Sequence, residues 1–339
     1  MSGGATTADV HGDAWARGAA ADHAVNVATG GPPAWLRAAL AEELATAVAA
    51  YPDEREAVEV VARRHGRATD EVVMLNGAAH GFQLVADVLA PRRPVVVHPQ
   101  FTEPDRALGG RARHVLLPDP YDFDPEAVPD DADLVVIGNP TNPTGVLHPA
   151  DAITALVRPG RTVVVDEAFM DFVAGEEASL AARATEGLVV LRSLTKILGA
   201  PGLRVGYLLA PPDLAGALRA RRQAWPVNAL ALLAVEHATP ERLRPIAARA
   251  RADRRALEAA LQRALPLGRV HVYPGAANFV LVELATRDAL ALAHDLRDQL
   301  GIAIRPASTF PGLTPRHVRL TARGGETDAR LIAALSQRV

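Results

Sequence analysis

Short apolar runs rich in valine, isoleucine and leucine recur along most of the chain. Pro94–His98, Arg113–Leu117, Asp133–Ile137, Arg161–Val165, Leu188–Leu191 and Val205–Leu209 read as strands. Helical spacing fills intervals between them, at Ala78–Leu89 and Ala150–Val157. Pro33–Ala50 is also predicted to be helical, with Trp35, Leu36, Leu40, Leu44 and Val48 on one side. Strands that are apolar at consecutive positions suit a mostly parallel sheet covered by helices on both faces. After about Pro240 the texture changes. A long Arg/Ala helix, Pro240–Leu265, leads to strands at Val270–Tyr273 and Phe279–Glu283, a helix at Arg287–Leu300, strands at Ile302–Arg305 and Val318–Thr321, and a last helix. Pro274-Gly275 and Pro311-Gly312 read as turns. Residues before about Asp22, rich in Gly, Ala and Thr, read as a loose arm. The expected fold class is α/β, with a mostly parallel central sheet in a large domain and a small α+β domain. The arm and first helix (1–45) are assigned to the small domain, 46–238 to the large domain and 239–339 to the C-terminal small domain.

Length and composition narrow the function. A chain of 339 residues suits about two domains at roughly 150 residues each. A net charge of −3 supplies no basic field for nucleic acid or acidic membranes. The absence of cysteine excludes disulfides, thiolate metal sites and a cysteine nucleophile, and fits a reducing cytoplasm. Residues Met1–Val10 lack the pattern of a signal peptide, and no apolar run approaches the ~20 residues of a membrane span. A cytoplasmic enzyme without membrane or nucleic-acid partners is the expectation. No histidine spacing reads as a metal site.

The chain contains 36 basic residues, of which Lys196 is the single lysine. Arginine serves most solvated roles of lysine, but a guanidinium stays protonated and cannot form an imine. Around Lys196 stand Ser193-Leu194-Thr195-Lys196 and then Gly202-Leu203-Arg204. Hydroxyls and a guanidinium suit a phosphate dianion, and the amine beside them can condense with an aldehyde. A solvated turn with incidental hydroxyls would look similar. Val163-Val164-Val165-Asp166-Glu167-Ala168-Phe169 ends an apolar strand in a carboxylate, where ligands sit beyond the carboxyl edge of a parallel sheet. Such an Asp can pair with a protonated pyridine nitrogen, or simply cap the next turn. Asn139-Pro140-Thr141-Asn142-Pro143-Thr144-Gly145 is a rigid turn after a strand. Asn76-Gly77-Ala78-Ala79-His80 opens a helix whose free N–H groups can bind phosphate. Phe101 lies where an aromatic ring could stack on a cofactor.

This ordered set resembles the class I/II aminotransferase family, the pyridoxal-5′-phosphate (PLP) enzymes of fold type I. It looks most like the branch holding L-threonine-O-3-phosphate decarboxylases of cobalamin biosynthesis, and next like histidinol-phosphate aminotransferases. The likeness runs from His11-Gly12-Asp13 to the last helix and includes Tyr51-Pro52-Asp53, Leu191–Tyr207, Pro226-Val227-Asn228-Ala229-Leu230, Val272-Tyr273-Pro274-Gly275 and Ile304-Arg305. The resemblance implies that Lys196 holds PLP covalently, that Asp166 faces the pyridine nitrogen and that Asn142 meets the ring oxygen. It implies phosphate contacts from Ser193, Thr195, Arg204 and the amides of Ala78 and Ala79. Tyr51 would reach the phosphate of a neighbouring subunit, which makes the enzyme a homodimer with shared sites. Arg319 would bind a substrate carboxylate, and His11, Asn26 and Arg305 would line the substrate side. In a chain with 35 arginines, Arg305 and Arg319 would equally pass for ordinary strand-edge residues.

Two departures bear on function. Ala79-His80 stands where the decarboxylases have Thr-Glu, so one phosphate hydroxyl is lost. Phe169 stands where typical aminotransferases place a tyrosine and where the decarboxylase branch also has phenylalanine. The expected activity is therefore decarboxylation of an O-phosphorylated amino acid such as threonine phosphate, with aminotransfer of the histidinol-phosphate type as the alternative. A PLP-binding regulator would need a DNA-reading module, and a nicotinamide dehydrogenase a G-x-G-x-x-G after its first strand; the chain has neither.

Overall fold

A computed structural model of the protein describes residues 12–265 and 268–339. The chain begins with α1 (Gly12–Ala16), β1 (Ala21–Asp22), α2 (Ala34–Ala47) and α3 (Arg55–His65). The central part runs β2 (Val72–Asn76), α4 (Ala78–Leu89), β3 (Pro94–His98), α5 (Glu103–Ala107), β4 (Arg113–Leu116), β5 (Leu134–Gly138), α6 (Ala150–Thr154), β6 (Thr162–Asp166), β7 (Leu188–Arg192), α7 (Leu194–Ile197) and β8 (Val205–Leu209). Then come α8 (Pro212–Arg221), α9 (Ala229–His237), α10 (Pro240–Ala264), β9 (Val270–Tyr273), β10 (Phe279–Leu284), α11 (Ala289–Leu300), β11 (Ile302–Ala303), β12 (Arg305–Pro306), β13 (His317–Thr321) and α12 (Gly325–Ser336).

Seven strands form the central sheet in the order β2-β8-β7-β6-β5-β3-β4. From β7 to β4 neighbours are parallel, whereas β8 is antiparallel to both β7 and β2. The strands are buried on both faces. Val163 and Val165 of β6 join one core and Val164 the other, which is why the sequence is apolar at consecutive positions. β2 points the same way as β3, β5, β6 and β7, so the carboxyl ends of all five open on one edge. A second sheet, β12-β13-β10-β9, is antiparallel throughout, and its inner face packs with α10, α11 and α12 around a separate core.

Several expectations need correction. The segment before Asp22 is not wholly a loose arm: α1 forms there, and β1 pairs in parallel with β11. The run Ile302–Arg305 is two strands in two sheets, split at Ile304. α2 ends at Ala47, and of its expected apolar stripe only Leu36 is fully buried, while Leu44 and Val48 are exposed. α3, α8, α9 and β2 were not assigned from the sequence. In β2 the run Val72–Leu75 is buried throughout, but the helix signal at Asn76-Gly77 directly follows it.

Candidate active site

The loops at the carboxyl edge of the sheet enclose a cavity of about 530 Å³. Its lining includes Asn26, Ala78, Ala79, Phe101, Asn142, Asp166, Ser193, Thr195, Lys196, Arg204, Arg305 and Arg319, twelve of the residues singled out from sequence. Tyr51 is not among them. It is largely exposed and stacks on Trp225, with ring centroids 4.2 Å apart. His11 lies outside the described residues.

Lys196 projects from the short helix α7, where Leu194 and Ile197 are buried in the core. Its amine donates to Asn26 Oδ1 at 3.1 Å and lies 5.9 Å from the centre of the Phe169 ring. Burial, with Arg319 and Arg204 adding repulsion, lowers the amine to about 8 against the opposing pull of Asp166. Asp166 ends β6. Its Oδ1 accepts from the Ala168 N–H at 3.0 Å, and it forms no ion pair among the described residues. Burial pushes its carboxyl up to about 6, although the Ala168 amide and Lys196 favour the charged form.

The far wall is built for an anion. Gly77, at φ 77°, precedes α4, and a Cβ there would lie 2.6 Å from Arg204 Nη2. Glycine therefore lets the arginine lie against the helix start, whose first N–H groups have no intrahelical acceptor. Arg204 itself adopts φ 58°, a strained conformation for a side-chain-bearing residue. Thr195 lines the cavity, but its hydroxyl donates to Val205 O at 3.1 Å, so its proton ties α7 to β8.

Arg305 and Arg319 are directly opposed across β12 and β13. Both are buried, and neither has a carboxylate partner among the described residues. Arg319 donates to Asn142 Oδ1 and Ala24 O, both at 2.5 Å; Arg305 donates to Pro306 O and Thr309 Oγ1, both at 2.8 Å. Burial lowers Arg319 to about 9, helped by Arg305, and lowers Arg305 to about 10. Like charges directly opposed on a sheet repel each other, so this pair is poised for an anionic ligand. Asn142, with Oδ1 taken by Arg319, retains its amide hydrogens for a second partner.

Some cavity residues were missed in the sequence. Gly12 packs where a Cβ would meet Ala24 O at 2.6 Å, and Phe310 stacks under Arg305 at 5.2 Å; neither has a spacing signal. Thr102, Glu103 and Arg106 reach the cavity from α5 and its N-terminus. Asp105 of α5 joins His98 and His114, each at 2.8 Å through Nε2. His98 Nδ1 accepts the Gln100 N–H at 3.3 Å, which places the proton on Nε2, facing the carboxylate. The group is thus a hydrogen-bonded clasp behind the Phe101 segment.

These residues fit PLP. A half-buried carboxylate with one backbone donor suits a protonated ring nitrogen, a half-buried amine of lowered basicity suits an aldehyde, and the Gly77–Arg204 cradle suits a phosphate. Comparison with known proteins agrees. The model of the family described as aminotransferase class I and II matches residues 23–336. A histidinol-phosphate aminotransferase of Mycobacterium tuberculosis is 44% identical over 319 residues, covering 92% of this chain and 86% of that protein. The threonine-phosphate decarboxylase of Salmonella typhimurium is 34% identical, covering 93% and 90%. The crystal structure of L-threonine-O-3-phosphate decarboxylase from Porphyromonas gingivalis superposes with a TM-score of 0.80 at 27% identity, covering 92% of this chain and 97% of that one. The chain belongs to the class I and II aminotransferase family and is a PLP-dependent enzyme with the fold type I architecture.

Proposed function

We propose that the enzyme is an aminotransferase of the histidinol-phosphate type, moving an amino group between a phosphorylated amine and a 2-oxo acid. The opposed, carboxylate-free guanidiniums of Arg305 and Arg319 carry this reading, because they call for an anionic substrate beside Lys196. The 44% identity to histidinol-phosphate aminotransferases supports this reaction over the decarboxylation expected from sequence, whose named relative stands at 34%.

When bound, the cofactor supplies an electron sink for breaking a bond at the substrate's amine-bearing carbon. Lys196 would hold the cofactor covalently, and its Nζ, when free, would move a proton at that carbon. With the amine lowered to about 8, a useful fraction is neutral near pH 7.5. Asp166, whose Oδ1 accepts from the Ala168 N–H, would hold a proton on the ring nitrogen. The first-turn amides of Ala78 and Ala79, with Ser193 and Arg204, hold the cofactor phosphate, Thr195 braces that loop, and Phe101 covers the ring. Asn142 contacts the ring oxygen, Asn26 orients Lys196, and Arg305 and Arg319 bind the substrate anion.

The large domain (46–238) carries the cofactor; 1–45 and 239–339 form the small domain and supply the two substrate arginines. The enzyme works as a homodimer. Tyr51, Trp225, Leu44 and Val48, all exposed, would be covered by the second copy, bringing Tyr51 to its phosphate site.

Decarboxylation of threonine phosphate is the second reading, favoured by Phe169 in place of a tyrosine. The test supplies purified enzyme and PLP with histidinol phosphate plus 2-oxoglutarate, or with threonine phosphate alone. Glutamate formation in the first mixture is expected. Release of CO₂ in the second, with no glutamate in the first, would overturn the proposal in favour of the decarboxylase.

A further inference from the structure

Asp166 ends β6 and Lys196 lies in α7, which follows the adjacent strand β7; Glu167 and Arg192, at the ends of these two strands, face the opposite side of the sheet from the cavity. β6 and β7 pair through Val165↔Val190 and Asp166↔Leu191, and the ladder continues with the Glu167 N–H donating to Leu191 O at 2.8 Å. Side chains alternate along a strand. Asp166 and Ser193 therefore line the cavity, while Glu167 and Arg192 meet behind it, both with 0% exposure. Arg192 Nη1 donates to Glu167 Oε2 at 3.1 Å. The same carboxylate accepts from Ser179 Oγ at 2.7 Å and, through Oε1, from the Leu180 N–H at 2.6 Å. Arg192 also faces Glu176 Oε2 at 2.7 Å and Asp171 Oδ1 at 3.1 Å.

The carboxylate of Asp166 has one hydrogen bond among the described residues, and it comes from the Ala168 N–H. Its direction therefore follows the backbone of Asp166-Glu167-Ala168, whose central residue is anchored at both side-chain oxygens. We propose that Glu167 is a positioning residue for the reaction: bonded to Arg192 on the neighbouring strand and to Ser179 and Leu180, it fixes Asp166 relative to Lys196. This inference rests on the reading that those two residues hold the cofactor. Sites of this kind tolerate displacements of only about 0.5 Å. Glutamine at 167 keeps the shape but replaces one acceptor oxygen by a donor, so Leu180 N–H or the Arg192–Ser179 pair must lose its partner.

The test compares Glu167→Gln with Asp171→Asn as holoenzymes. Asp171 belongs to the same cluster, bonded to Arg64 at 2.5 Å, but does not adjoin Asp166. Melting temperature, kcat and KM, and the pH midpoint of the visible PLP band are measured for each. Glu167→Gln is expected to move the band's midpoint by about half a pH unit or more and to lower kcat about tenfold, with KM within about twofold. Asp171→Asn should lower the melting temperature while leaving the midpoint in place. An unmoved midpoint and kcat in Glu167→Gln, or an equal movement in Asp171→Asn, overturns the proposal and leaves the cluster purely structural. If Glu167→Gln is not recovered folded, Glu167→Asp, which keeps the charge but draws it back from Arg192, is judged by the same comparison. A wild-type protein that develops no visible band with PLP would instead sink the cofactor assignment on which the inference rests.

Discussion

Two pairs of largely buried arginines keep opposite company. Arg64 and Arg192 share Asp171 and Glu176, and Arg192 alone also holds Glu167. Arg305 and Arg319 are buried, oppose each other across two strands, open on the cavity and, among the described residues, bond only to neutral oxygens. A buried guanidinium is tolerated when carboxylates neutralise it. The first pair meets that condition within the fold. The second meets it only when an anionic ligand arrives. Pairing, more than burial or residue type, separates an arginine that builds the protein from one proposed to recognise a substrate.

The comparison can be broken by exchanging each arginine for methionine. Arg192→Met leaves buried Glu167 without its guanidinium and Asp171 and Glu176 with Arg64 alone, and is expected to destabilise the protein by about 3–5 kcal/mol, read as a lower denaturation midpoint. Arg319→Met removes an uncompensated charge. It should leave the stability of the ligand-free protein unchanged or higher, while kcat/KM falls on the order of 100- to 1,000-fold through the lost charge-assisted bonds to substrate. If Arg319→Met unfolded the protein and Arg192→Met did not, the division into structural and recognition arginines would be wrong.

Asp166 sharpens the same point through pH. Its folded carboxyl, at about 6, stands above its ordinary 3.8. Between those values the native state holds a proton that the unfolded chain has lost. The favourable contribution is full below 3.8 and is lost as pH rises through about 6. Above that, keeping the ionised group buried costs on the order of 3 kcal/mol for a shift of about two units. Asp166→Asn should therefore stabilise the ligand-free protein at pH 8, with the gap narrowing towards pH 5, while PLP-dependent activity is largely lost. Denaturant titrations at the two pH values measure it; a gap that widens towards acid would contradict the burial of an unpaired carboxylate.

The sequence carried the sheet better than it carried these ion networks, for a physical reason. Pro94–His98, Val205–Leu209 and Val270–Tyr273 were legible residue for residue because short runs rich in valine, leucine or tyrosine there are bounded by proline or charge. The cavity was legible because its motifs sit at strand ends, where a polar residue after an apolar run stands out; Asp166 after Val163-Val164-Val165 is the clearest. Long-range pairing leaves no such mark. Arg64 and Asp171 are 107 positions apart, and His98, Asp105 and His114 have spacings without periodicity. The break at Ile304 was hidden because its two flanking strands join different sheets without any change in local composition. Choice of reaction was the least legible: Phe169 pointed to decarboxylation, whereas the more similar named relatives are aminotransferases.

The smallest expected effect lies at the phosphate end, where Ala79 stands in the first turn of α4 and lines the cavity. A free helix start and Arg204 already provide charge complementarity, so a hydroxyl there adds one bond to a site that is largely formed. Ala79→Thr is expected to tighten PLP by about 1 kcal/mol, or about fivefold in Kd. The effect is modest because the threonine must also give up rotamer freedom to make the bond. Titrating the ligand-free enzyme with PLP and following the visible band gives the ratio directly. No change would mean that the phosphate does not reach the first turn of α4, and the anion would then have to be assigned to Arg204 and Ser193 alone.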